Sequence, residues 1–464
     1  MRIYPELLPS SALRAALLVG AFLWSGCGRL FQKDIATDAL DPTDRADTEP
    51  SIAVNPTNTK EIAVVAFSEN WGPASNAPVW KSSDRGKTWR KVTQLSQPGA
   101  AQFGPGDQKI DFDADGKVYV AELASGGGLF DYVYRQVALA DDPLTPGAPF
   151  GDDQPHLAVD RSTTSPQKGR LYAPWLDFGA GLPLSSVSWS PDQGQTMNNV
   201  GAGANALFAN RTTRIAIARS GSVYIVFKTR EGTAGAPAGF ENAHFTVKRS
   251  DDGGATWTGL GAAGISVHGA AQVQTYFTTS FGNPAKGKVA RARSSDAWIA
   301  TNPSNDDVHV AYVNRDASGF AQIYAARSTD QGATWTSARV TDQTHHSAFP
   351  EIAITKRGIV GVLYIDYDDA GAATIFRHRF AYSVNNGSTW SDRILQSMDP
   401  GPLANAASGF LWGDYEGLTA VKNTFYGVYT GEASGRTTAQ LDPIFFRQKR
   451  CPRWWSLVCW LEPE

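Results

Sequence analysis

The chain has 464 residues, with 45 Gly, 26 Pro, 14 Trp, 15 Tyr and 22 Phe against 19% charged residues. Aromatic residues suit pleated surfaces and Gly and Pro suit turns, so this balance favours an all-β protein of many short strands. A formal net charge of -3 gives no general attraction to polyanions, and no nucleic-acid role is assigned.

At the N-terminus, Arg2 and Arg14 precede an uncharged run from Ala15 to Trp24 and then Ser25-Gly26-Cys27. That is the layout of a secretory signal over residues 1–27, with a run too short to span a bilayer. Ser25-Gly26-Cys27 resembles the end of a bacterial lipobox, in which Cys27 would carry lipid after cleavage, although Trp24 stands where the motif usually has Leu. A plain cleavage site is the alternative, and a membrane is expected as a partner only through this lipid. Residues 28–48 are polar and read as a tether.

From residue 49 to 448 one pattern recurs: turn, apolar strand, turn, apolar strand. Its first strands lie at 49–54, 108–112, 154–159, 213–217, 297–300, 350–354 and 416–420. Seven such units predict a seven-bladed β-propeller around a channel, closed by pairing between the two ends of the chain. The second unit contains Asp111-x-Asp113-x-Asp115-Gly116 and then Glu122, the letters of an EF-hand loop. Its flanks are strand-like, so Asp115-Gly116 reads as a hairpin turn and Glu122 lies about 20 Å away at ~3.3 Å per residue. No metal and no cofactor are assigned.

An eight-residue signature interrupts five of the units. It runs Ser82-x-Asp84-x-Gly86-x-Thr88-Trp89, then Ser190-x-Asp192-x-Gly194-x-Thr196-Met197, then Ser250-x-Asp252-x-Gly254-x-Thr256-Trp257, then Ser328-x-Asp330-x-Gly332-x-Thr334-Trp335, and last Ser383-x-Asn385-x-Gly387-x-Thr389-Trp390. Each is expected on the hairpin between the third and fourth strands of its unit. The Asp or Asn caps the turn, Gly takes a positive φ, and Trp is buried between sheets. These Asp residues are structural, not catalytic.

After the last unit, residues 449–464 form a tail with Cys451 and Cys459. In an exported chain such a pair points to a local disulfide.

The signature resembles the Asp box, or BNR repeat, of the sialidase superfamily, and it extends over most of the mature chain. That resemblance implies a propeller; sialidases have six blades, so a six-bladed sialidase-type propeller is the alternative. It also implies that functional residues gather where each inner strand begins and where second and third strands join, with the boxes on the opposite face.

At the equivalent first-strand position stand Ser51, Lys109, His156, Arg214, Trp298, Glu351 and Gly417, expected to ring an exposed mouth. The second-to-third loops add Glu69, Trp71, Trp175, Asp177, Arg230, Arg315, Asp316, Asp366, Asp368 and Asp369. Carboxylates and guanidinium groups can bind sugar hydroxyls or carboxylates while rings stack on pyranose faces. Lys109, Arg214, Trp298, Arg230, Arg315, Trp175 and Trp71 are therefore the substrate-binding candidates. A hydrolase would pair Glu351 with Asp177 or Asp414, and a lyase would use His156, Tyr415 and Arg214.

Sialidases bind the substrate carboxylate with three arginines, the first in a Phe-Arg-Ile-Pro motif. Here Glu49-Pro50-Ser51-Ile52 holds that place without an arginine, which argues against standard sialidase activity. The expectation is an exported, monomeric propeller that binds or processes extracellular glycans. Its alternatives are a protein-docking surface propeller, a divergent exo-sialidase or other glycoside hydrolase, and a uronate lyase.

Overall fold

The computed structural model describes residues 30–37, 47–68, 77–95, 103–125, 129–136, 144–178, 184–201, 211–232, 240–259, 265–271, 297–315, 318, 320–341, 344–368, 375–398, 415–432 and 441–451. Among them the regular structure is all strand, in seven antiparallel sheets of four strands, one with an added fifth. The protein is a β-propeller. The inner strands are Asp47–Val54, Phe103–Phe112, Ala158–Val159, Arg211–Ile217, Ala297–Thr301, His346–Ile354 and Gly417–Val421, and each lies against the next in a closed ring.

Blades bury both faces against their neighbours, so their second strands read as continuous apolar runs rather than alternating ones. Ile62-Ala63-Val64-Val65-Ala66, in the first blade, is completely buried. Clusters such as Ile52, Val54, Val64, Trp80, Tyr426 and Phe445 join the first blade to the last.

The five signature hairpins sit between third and fourth strands and share their serine and Asp/Asn hydrogen bonds, with a tryptophan bond added in the first, fourth and fifth. In the fourth of them, Gly332 N–H donates to Ser328 Oγ at 2.7 Å, Thr334 N–H donates to Asp330 Oδ1 at 2.9 Å, and Trp335 Nε1 donates to the Gly332 carbonyl at 3.1 Å. Gly332 has φ of 94°, which a side chain would oppose. The hydrogen bonds from Thr334 and Ser328 hold the Asp330 carboxyl down at about 2. Asn385 keeps the scheme through its amide oxygen, accepting from Thr389 N–H at 2.9 Å. The hairpin Trp side chains are half-buried rather than buried, each resting on a core cluster; Trp89 meets Phe445 of the last blade at 5.2 Å.

Within the acidic stretch of the second blade, Asp113 caps the hairpin. Its Oδ1 accepts from Asp115 N–H and Lys117 N–H at 2.9 Å, and its Oδ2 accepts from Tyr119 OH at 3.0 Å.

One boundary differs from the sequence reading. The expected tether contains a strand: Phe31–Asp34 pairs antiparallel with Leu441–Lys449 and supplies the outer strand of the last blade. Ile35 and Ala36, just after it, are completely buried. At the other end Cys451 is disulfide-bonded, while Cys459 and Cys27 lie outside the described residues.

Removing residues up to Ala36 is expected to destabilise the protein by on the order of 3–5 kcal/mol, through lost apolar burial and lost ladder pairs. Urea denaturation of chains beginning at residues 30 and 37 measures it, and equal midpoints would restore the tether.

Candidate functional site

Four of the inner strands reach the channel through a break in their ladder. Pairing skips between Thr48 and Ser51, Gly106 and Lys109, Arg211 and Arg214, and Ala348 and Glu351. In four blades the residue two places before the axial one takes a positive φ: Glu49 at 53°, Asp107 at 52°, Gln154 at 51° and Phe349 at 52°. Such bulges re-aim the next side chains, here Ser51, Lys109, His156 and Glu351.

The side chains meet across the axis instead of lining an open rim. Lys109 Nζ lies 3.7 Å from Glu351 Oε1, 4.5 Å from the Trp298 ring centre and 3.6 Å from that of Tyr415. The Arg214 guanidinium is 4.5 Å from Trp298 and 5.7 Å from Tyr415. His156 meets Trp298 edge-on at 5.2 Å. Six blades thus contribute to one layer whose cations are held by aromatic faces as well as by a carboxylate.

Burial is the principal departure from the sequence reading. Lys109 and Glu351 are each 4% exposed, Arg214 1%, Trp298 6% and Tyr415 2%; only His156 is half-buried. Glu351 is therefore no wet-rim residue: its Oε2 accepts from Leu418 N–H at 2.5 Å. Burial pushes the Glu351 carboxyl up to about 7 despite the opposing effect of Lys109, and burial pulls the Lys109 ammonium down to about 7. Burial, reinforced by the charges of Lys109 and Arg214, holds His156 well below its usual range.

Other candidates fall elsewhere. Trp175 belongs to the core with Tyr119, Val133 and Leu157, and its Nε1 donates to Ser188 Oγ at 2.9 Å, so it is not a rim aromatic. Asp177 ends the second strand of the third blade, opposite Leu184, while the leading charges on Glu351 are Lys109, Arg214 and Glu416. Asp366 is buried in ion pairs with Arg377 and Arg379, each at 3.0 Å. Arg230 and Arg315 lie on second strands, and their side chains are outside the described residues, as are Trp71, Glu69, Asp316, Asp369 and Asp414.

Sequence reasoning missed two groups. Asp107 accepts from Tyr415 OH at 3.3 Å, and its signal was its place in the bulge before Lys109. Asp131 is completely buried, with neither carboxylate oxygen hydrogen-bonded among the described residues; burial, then Asp153, raises its carboxyl well above the usual range. Nothing in the sequence around Asp131 marked it.

No family model matches the chain. A stretch of 138 residues, 26% of this chain, is 33% identical to the probable oligoxyloglucan-reducing end-specific xyloglucanase of Neosartorya fischeri, and it spans only 16% of that protein. Among solved structures the chain is similar in fold to an ulvan lyase of a new polysaccharide lyase family. The TM-score is 0.50 at 11% identity, over 86% of this chain and 93% of that one. A Hadza microbial sialidase aligns with a TM-score of 0.41 at 15% identity, over 87% of this chain and 66% of that one. Glycan-active propellers are thus among the structural neighbours.

Two expectations follow from the buried pair. Glu351→Ala leaves Lys109 without its counter-ion and should cost about 3–5 kcal/mol, no less than truncating a half-buried hairpin tryptophan such as Trp335; chemical denaturation of the two variants compares them. The second is a pH profile. Glu351, raised from 4.5 to about 7, contributes its stability fully below pH 4.5 and loses it as the pH rises to about 7. Lys109, lowered from 10.5 to about 7, contributes fully above pH 10.5 and loses it as the pH falls to about 7. The stability of the wild type relative to the double variant Lys109→Met, Glu351→Gln should therefore be lowest near pH 7. A difference in melting temperature that stays flat from pH 5 to 10 would contradict this.

Proposed function

We propose that this chain binds or processes extracellular glycans at the end of the channel where the inner strands begin. The observation that carries the proposal is the convergence of Lys109, His156, Arg214, Trp298, Glu351 and Tyr415 on one axial layer. Half-buried His156 is the member a ligand meets first, and Trp298 behind it fixes the ring edge-on. The surrounding cations supply charge that favours hydroxyl-rich or carboxylate-bearing ligands.

Of the two catalytic schemes, abstraction of a proton beside a neutralised carboxylate is the better supported. His156, Arg214 and Tyr415, its base, neutraliser and phenol, are linked through Trp298 or through direct contact. The hydrolytic scheme needs a second carboxylate across an open mouth from Glu351; Glu416 acts on Glu351, but both are buried and Glu416 is engaged by His378 and Thr430 N–H. The eight-residue hairpins are read as Asp boxes of the sialidase superfamily, residues 1–27 as an export signal, and Cys27 as the lipid attachment point.

The test is a glycan array probed with the chain from residue 28, followed by His156→Ala and Trp298→Ala on any hit. Binding should weaken about tenfold or more, as loss of a central contact gives, with melting checked in parallel. A folded protein that binds no glycan but captures a protein partner would replace this proposal by a docking role. A fluorogenic α-sialoside should stay intact, because Arg214 is engaged with Trp298 and Tyr415 rather than aimed into a three-arginine clamp. Its turnover, abolished in Arg214→Ala, would make the chain a divergent sialidase.

A further inference from the structure

On the mouth side of the axial layer, the second and third blades bring several acids together. Across the second blade Gly106, Leu123, Asp131 and Gly151 pair in one row through all four strands, Phe103–Phe112, Val118–Ser125, Leu129–Gln136 and Leu144–Gly151. Asp107 and Glu122 adjoin this row on the inner two strands, and Asp152 and Asp153 follow it directly in the chain. The backbone then turns inward along the third blade: Asp153 pairs with Leu176, and His156 N–H donates to the Pro174 carbonyl at 2.9 Å. Asp153 therefore stands on the mouth side of His156 in the same segment.

Asp131 is the member that calls for a ligand. It is completely buried, and neither of its carboxylate oxygens has a hydrogen bond among the described residues. A side chain at Gly151 would meet Asp131 Oδ2 and the Trp175 ring, so the glycine leaves room for the carboxyl beside the segment that carries Asp152 and Asp153. Burial and then Asp153, Asp107, Asp152 and Glu122, carboxylates all, raise the Asp131 carboxyl well above its usual range. Lys109, on the axial side, acts on Asp107 but is not one of the leading charges on Asp131. Unlike Asp131, the acids Asp107, Asp152 and Asp153 are half-buried and so within reach of the mouth. Phe178, 42% exposed, is tied to them, its N–H donating to Asp152 Oδ2 at 3.0 Å. Among the described residues no group of three acids, histidines or cysteines is placed to hold a metal ion. The arrangement suits a larger cation, one that presents N–H donors to separate carboxylates.

Resting on the glycan reading above, we infer that the ligand of this face is an amine-bearing glycan: with one sugar at His156, the neighbouring sugar presents a free ammonium group to Asp152 and Asp153. Charge-assisted hydrogen bonds join the ammonium to these carboxylates, and the exposed Phe178 ring flanks it. Asp131 acts from behind without touching the ligand. An arriving cation supplies the counter-charge that lets its buried carboxyl ionise, and the added negative charge holds the ammonium more tightly.

The probes are a glucosamine tetramer and its fully N-acetylated counterpart, which share a backbone and differ in charge. They are titrated calorimetrically into the chain from residue 28, at a pH where the free amines are charged. The glucosamine tetramer should bind about tenfold or more tightly than the acetylated one, as a charge-assisted contact gives. The double variant Asp152→Asn, Asp153→Asn should erase that preference, and Asp131→Asn should lower it. Asp115→Asn, an exposed acid of the hairpin turn at the far end of the inner strand, also removes negative charge and should leave the preference intact. Absence of binding by the glucosamine tetramer, equal affinity for the two tetramers, a preference that survives the double variant, or one lost equally in Asp115→Asn would each overturn the inference. If Asp131→Asn does not fold, the double variant alone decides. Glycans that bind on the array and lose affinity in His156→Ala, with no preference for the free amine, would leave the glycan face standing and remove only the amine subsite.

Discussion

The ring of blades depends on a four-residue ladder. Phe31 to Asp34 pair with Arg447 to Ile444, so the first strand of the described chain completes the sheet built from its last. A propeller whose last sheet lacked its outer strand would present a row of unpaired backbone groups and a gap in the ring. The ladder fills both, and Ile35 carries the closure inward to Ile52, Trp80 and Phe445. The gain is cooperative, since every blade packs both faces and loosening one junction exposes apolar surface on two sheets.

The same geometry explains why the axial layer is buried. Seven inner strands begin close to one axis, and the bulges at Glu49, Asp107, Gln154 and Phe349 turn the following side chains across it. Lysine, arginine and glutamate would each be costly to bury alone. Contacts with Trp298 and Tyr415 lessen the desolvation cost of the two cations through ring quadrupoles, and Glu351, Glu49, Asp107 and Glu416 offset their charge.

Much of this was legible in the sequence, and the exceptions have identifiable causes. The eight-residue hairpins and the strand-start positions were readable because each repeats a local requirement: a positive φ at glycine, a capping carboxylate or amide, an apolar residue directly after the axial one. A further repeat went unread. Asn55, Asp160 and Asn302 end inner strands as Asp113 does, and accept from Thr57, Ser162 and Ser304 N–H at 2.9 Å. Phe31-Gln32-Lys33-Asp34 looked like tether because an outer strand has one wet face and four residues carry too little pattern. Trp175 looked like rim because its distance from a turn is visible in sequence, whereas the two-sided burial of Leu171–Asp177 depends on the neighbouring blade. Convergence of Lys109, Arg214 and Glu351 joins residues more than a hundred positions apart, and only ring closure fixes it.

Closure and the axial layer are also joined by a continuous polar path. Gln32, on the closing strand, donates through Nε2 to Tyr429 OH at 2.7 Å, and the Tyr429 ring stacks on His378 at 4.5 Å. His378 Nε2 lies 3.1 Å from Glu416 Oε1, and Thr430 N–H donates to Glu416 Oε2 at 2.8 Å. His378 and Glu416 are both buried, and burial raises the Glu416 carboxyl above its usual range while His378 opposes that shift. Hydrogen bonds offset the cost of burying this acid, so the position of Glu416 is fixed by partners that the closing strand helps to hold. Tyr415 is the next residue in the chain, and its ring forms the face on which Lys109 rests. The strand that completes the last blade therefore constrains, through Tyr429, His378 and Glu416, the aromatic surface that holds the axial cation.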